Sequence, residues 1–161
     1  MSAAMSDPLY SVEREYPVPV ERMWAAWTDA EALEAWYHPT DLRCLPGSVT
    51  SDATVGGGWA VSVDVPEHGF VAYFYGVYTR VENGRVLEHS MHYTQSAEEF
   101  AVKDLSTPAH RVVVDFEPRA GGTWVRFTQF GELPEGEAPR AKAGMESYFD
   151  SLGAYLAGRQ A

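Results

Sequence analysis

One long amphipathic segment closes a chain that otherwise reads as strands, and this order constrains the fold more than any other feature. From roughly 138 to 157, Ala141, Met145, Tyr148, Phe149, Leu152, Tyr155 and Leu156 recur at a helical period. A helix with one apolar stripe needs a partner surface, and the only large one upstream is a sheet. The expected arrangement is a curved antiparallel sheet wrapped around a single C-terminal helix, an α+β architecture with room for a cavity between the two layers.

The upstream pattern supports this reading. Over Leu9–Tyr16, Tyr10, Val12 and Arg14 alternate with Ser11, Glu13 and Glu15, the period of a half-exposed strand. Pro17 and Pro19 end it, and Pro19 suits the first turn of a helix. Val20, Met23, Trp24 and Trp27 then share a helical face, and Thr28-x-x-Glu31 has the spacing of a capping box that opens a second short helix burying Leu33, Trp36 and Tyr37. Six strands are expected to follow. The first, over 42–52, is weak and interrupted by Pro46-Gly47; the second alternates at Trp59, Val61, Val63 and Val65. Residues 70–81 are apolar on both faces, so their phase is not legible. Asn83-Gly84 signals a hairpin into a strand with Leu87, His89, Met91 and Tyr93 on one side. Val112, Val114 and Phe116, then Val125, Phe127 and Gln129, mark the last two. Residues 94–109 are the longest irregular stretch, either a lid or binding loop or a plain surface excursion.

At 161 residues the chain reads as a loose tail, 1–8, and one domain over 9–161. A net charge of −11 with no basic stripe repels phosphate backbones and anionic lipid surfaces, so neither nucleic acid nor membrane is expected as a partner. Cys44 is the only cysteine, which excludes an intrachain disulfide and fits a cytoplasmic location. The first residues lack the positive and apolar regions of a signal peptide, and no apolar run reaches the roughly 20 residues of a membrane span. His38, His68, His89, His92 and His110 are scattered, and His89 and His92 point to opposite strand faces, so no metal site is expected. Gly56-Gly57-Gly58 precedes a strand, not a helix, so it is no nucleotide loop, and no cofactor is expected. There is no G-x-S-x-G elbow.

Cavity walls can be proposed from the strand and helix phases. Trp36 from the second helix, with Trp59, Val61, Tyr78, His89 and Met91 from the sheet, would form one side. Val125, Phe127 and Gln129 from the last strand and Met145, Phe149 and Leu152 from the final helix would form the other. Such walls suit a small apolar or aromatic molecule. Gln129 shares the inward phase, and a buried amide needs partners, either in the core or on a ligand. His89 is the candidate acid or base, and Arg80, whose phase is undecided, a candidate for a ligand carboxylate. Cys44 follows Arg43, which would lower its pKa slightly, although an inert thiol is the default.

The motifs in their order resemble a known family. They are Pro19-Val20-Glu21-Arg22-Met23-Trp24-Ala25-Ala26-Trp27-Thr28-Asp29, the Leu33-x-x-Trp36-x-x-Pro39 spacing, Gly56-Gly57-Gly58-Trp59, the final hairpin Gly121-Gly122-Thr123-Trp124-Val125-Arg126-Phe127-Thr128-Gln129, and Gly144, Phe149, Leu152 and Leu156 in the last helix. From about Val12 to Leu156 the chain is similar to the homologues of the activator of the heat-shock protein 90 ATPase. These belong to the START-like superfamily, with the birch pollen allergen and the polyketide cyclases. The resemblance implies a helix-grip (START-like) fold, with two short helices after the first strand. It also implies one of three roles: binding of an apolar or aromatic small molecule, a cyclase or dehydratase reaction in the same pocket using His89, Arg80 or Gln129, or a chaperone-associated interaction module. It leaves a homodimer open.

Overall fold

Residues 7–158 are described by a computed structural model; residues 1–6 of the expected tail lie outside the described residues. The opening alternation is strand β1 (Tyr10–Tyr16), and helix α1 (Val20–Thr28) begins where the Pro19 carbonyl accepts the amides of Arg22 and Met23. Helix α2 (Ala30–Trp36) follows at once. The expected capping box does not form. Thr28 is still the last residue of α1, and its hydroxyl donates back to the Trp24 carbonyl at 2.9 Å, so Asp29 becomes the N-cap of α2 without a side-chain bond.

The weak strand over 42–52 splits into two two-residue pieces, β2 (Arg43–Cys44) and β3 (Thr50–Ser51). Between them Gly47 takes φ +77°, a left-handed conformation that tightens the Pro46-Gly47 turn. Both pieces pair with β4 (Gly58–Val65), which a single 3-10 turn (Pro66–His68) links to β5 (Phe70–Glu82). After β6 (Val86–Thr94) come α3 (Ala97–Val102), β7 (His110–Arg119), β8 (Gly122–Phe130) and α4 (Ala138–Gly158). All pairings are antiparallel, in the order β1-β8-β7-β6-β5-β4-β2, with β3 also on β4. The curled sheet gripping α4 is the expected helix-grip fold.

The long stretch after β6 is irregular only in part, because Ala97–Val102 is helical. Ser96 caps α3 by accepting the Glu99 amide, and Thr94 donates to the Glu99 carboxylate, so Ser96-x-x-Glu99 is the capping signal overlooked in the sequence. Trp59, Val61 and Val63 point into the core, and register makes their partners Gly76, Phe74 and Ala72 share that face. Tyr73 and Tyr75 therefore point the other way, and Phe100 of α3 stacks on Tyr73 at 4.6 Å and meets Tyr75 edge to face at 6.3 Å. The segment thus covers the outer face of β5 and β6, and only its last residues reach the inner face.

Helix α4 is fixed by both packing and polar clasps. Phe149 and Leu152 are fully buried, with Met145 and Leu156 beside them. Tyr16 donates its hydroxyl to the Phe149 carbonyl at 2.8 Å, and Arg22 donates to the Leu156 carbonyl near the end of the helix. The Phe149→Ala variant is expected to lose about 3–5 kcal/mol in urea unfolding, because the ring is fully buried and its removal leaves a cavity. Val102→Ala, at an exposed position on α3, is expected to change stability by less than about 0.5 kcal/mol.

Candidate functional site

The two ends of the groove between sheet and helix differ. At the inner end Trp27 contacts the rings of Trp36, Tyr37, Phe116, Phe127 and Phe149, with centroids 4.7–6.4 Å apart. The Trp36 indole donates to the Ala26 carbonyl at 2.7 Å, which ties α2 to α1. What remains between Trp27, Trp59, Tyr78 and His89 is a void of about 10 Å³, room for about one water. Of the expected walls, Trp36, Val125, Phe127, Phe149 and Leu152 are core residues, Met145 packs with them, and Trp59, Val61, Tyr78 and His89 surround this small void.

His89 is held in a local distortion of the sheet. The Ser90 carbonyl accepts both the His89 Nδ1–H at 3.0 Å and the Trp59 indole N–H at 2.9 Å. The Val77 amide is taken by the Ser90 hydroxyl instead, at 3.0 Å. A Cβ on Gly76 would lie 2.1 Å from that carbonyl oxygen, so only glycine leaves space for it. Burial lowers the pKa of His89 to about 4, offset in part by the Ser90 carbonyl, so it is neutral at pH 7. Arg80 lies past a β-bulge, its side chain 54% exposed and paired with Glu82 at 2.6 Å, well outside the groove. Cys44 is buried and its thiol is pushed up to about 12 by desolvation, the opposite of the lowering expected from Arg43.

At the outer end the register assembles a different set. Phe74 pairs with Tyr93, Met91 with His110, and Gln129 with both Val112 and Tyr10, all on the inner face. They open onto a cleft of about 630 Å³, rimmed by Pro108 and Ala109 on one side and Glu132 and Leu133 on the other. Met91 and Gln129 are the two expected wall residues that the structure brings here. Phe74, His110 and the two rims were not singled out, because β5 hid its phase and His110 stood as one scattered histidine.

The floor of the cleft is a polar relay. The Tyr10 hydroxyl donates to Gln129 Oε1 at 2.5 Å, and Gln129 Nε2 donates to His110 Nδ1 at 2.6 Å. A ring nitrogen facing an amide N–H is an acceptor, so the imidazole proton sits on Nε2, where the Glu132 carbonyl accepts it at 3.1 Å. The ring also lies against Gly131, where a Cβ would come within 2.4 Å of it. Beside the relay, Tyr37 and Tyr148 meet edge to face at 5.0 Å, and desolvation raises both hydroxyls well above their ordinary range.

Among the described residues no three His, Cys, Asp or Glu side chains gather as metal ligands, and no helix is long and apolar enough to cross a membrane. His89 supplies a pH test. Its folded-state pKa lies below the unfolded value near 6.5, so the unfolded chain binds the proton first, and stability falls as pH drops from about 6.5 to about 4. The loss attributable to His89 is on the order of 3 kcal/mol. Urea midpoints across that range should fall for the wild type, and His89→Asn should remove much of the slope.

Comparison with known proteins agrees with this architecture. An AHSA1 protein from Silicibacter pomeroyi superposes with a TM-score of 0.76 at 23% identity, covering 93% of this chain and 98% of that one. A protein from Chromobacterium violaceum gives 0.74 at 20% identity, over 90% and 94% of the two chains. A protein of the dynemicin biosynthetic locus gives 0.68 at 20% identity, over 91% of this chain and 46% of its own. No curated protein matches the sequence. The sequence model described as "Activator of Hsp90 ATPase homolog 1-like protein" matches residues 17–157, and the chain belongs to that family.

Proposed function

We propose that the protein binds a small apolar or aromatic molecule in the outer cleft. The observation that carries this reading is the cleft itself: about 630 Å³, walled by Phe74, Met91, Tyr93 and Leu133, with one organised polar group at its floor. Pockets for small molecules have this size and this mixture of apolar wall and few polar groups. Tyr93 is half exposed at its mouth, so a ligand ring laid on it removes apolar surface from water. A ligand burying about 200 Å² there would gain about 5 kcal/mol before the cost of association. The wall residues come from β5, β6, the start of β7 and β8, and from the segments just before β7 and just after β8, so most of the cleft rests on the sheet.

The cyclase-like alternative has less support. His89 is neutral and engaged with a backbone carbonyl away from the cleft, and Arg80 is on the surface. Ligand binding is tested by native mass spectrometry of the freshly purified protein, with identification of anything released on denaturation. A discrete adduct is expected. Ala109→Trp, which adds an indole at an exposed rim position, is expected to lose that adduct with little change in stability. An adduct that persists unchanged in Ala109→Trp would place the ligand elsewhere.

A further inference from the structure

The polar relay also determines which molecules the cleft accepts, an inference that rests on the binding function proposed above. Gln129 Nε2 carries two N–H groups. One is spent on His110 Nδ1, and the other has no partner among the described residues. The amide cannot exchange its ends freely. Oε1 is occupied by the Tyr10 hydroxyl, and the far side of the His110 ring is anchored to the Glu132 carbonyl. Gly131, by lacking a Cβ, leaves the ring its place. The cleft therefore presents a fixed, uncharged hydrogen-bond donor from a side chain that is only 6% exposed.

The charges around it act in one direction. Among the described residues no Lys or Arg lines the cleft, and the one carboxylate in its lining is that of Glu132, beside the Tyr93 hydroxyl and the His110 ring. The chain as a whole carries −11. An anionic ligand would bury a carboxylate with no cation to pair with and a carboxylate nearby, which is costly. A carbonyl or ether oxygen needs only the one N–H that Gln129 holds ready. We infer that the cleft selects uncharged aromatic molecules bearing a hydrogen-bond acceptor, and rejects carboxylates of the same shape, with Gln129 as the residue that sets this preference and His110 as the residue that orients it.

Three probes of matched shape test this on the intact protein: 2-acetylnaphthalene, naphthalene-2-carboxylate and 2-isopropylnaphthalene, titrated at pH 7.5 by tryptophan fluorescence and calorimetry. The ketone is expected to bind at least tenfold more tightly than the carboxylate and several-fold more tightly than the hydrocarbon. In Gln129→Leu the advantage of ketone over hydrocarbon should disappear while hydrocarbon binding persists. Gln129→Met serves the same purpose should the leucine variant not fold. A carboxylate that binds as tightly as the ketone overturns the selectivity and leaves the cleft as a binding site. Equal binding of ketone and hydrocarbon to the wild type removes Gln129 from recognition. Failure of all three to bind overturns the cleft reading itself, and this inference with it.

Discussion

The aromatic plug around Trp27 is the constraint on which the rest depends. Two short helices inserted between β1 and the remainder of the sheet deliver Trp27, Trp36 and Tyr37 into one end of the groove. There they meet Phe116 and Phe127 from the sheet and Phe149 from α4. Large rings bring much apolar area per residue, and edge-to-face contacts between them add to it. A groove filled this way at one end has free volume only at the other. The plug therefore places the cleft, although none of its own residues line it.

The open end is built from what the sheet can supply without a plug. Register alone puts Phe74, Tyr93, Met91, His110, Gln129 and Tyr10 on one face. Tyr10, Gln129 and His110 carry polar groups low on that face, and a buried polar group must find a partner. They find one another. The Tyr10–Gln129–His110 chain is both the structural solution to that requirement and the source of the cleft's directional chemistry, because each bond fixes which atom of the next residue donates. The inner end solves a similar problem with backbone: the Ser90 carbonyl leaves the ladder to satisfy His89 and Trp59, and the Ser90 hydroxyl takes its place for Val77.

Period and order made most of this architecture legible. The stripe on α4, the face of α1 and the alternation in β7 and β8 each depend on spacing alone, and each is where the sequence put it. What escaped depends on three-dimensional partners. Thr28 looked like a cap because its spacing to Glu31 was right, but the helix before it had not yet ended and took its hydroxyl. Ser96 was a cap with the same spacing, hidden in a stretch without hydrophobic periodicity. Inward phase was correctly assigned to Gln129, yet phase does not say which end of a groove a residue occupies. Val125 and Phe127, on the same strand face, are in the plug's core, and Gln129 is two residues beyond them in the cleft.

That two-residue step shows why the site residues were harder to read than the fold. Along an inner face the environment changes from filled to open over one strand repeat, about 7 Å. Pattern reports face, but the depth of the plug decides where the groove stays open, and depth is set by ring sizes on α1 and α2 meeting ring sizes on α4. A member of this family with smaller side chains at the positions of Trp27 and Trp36 would move its cavity inward, to the walls that a reading of phase alone assigns, and would place the residue corresponding to His89 in contact with the ligand. In this chain the indoles occupy that space, and the open volume lies instead between the rim and the amide at its floor.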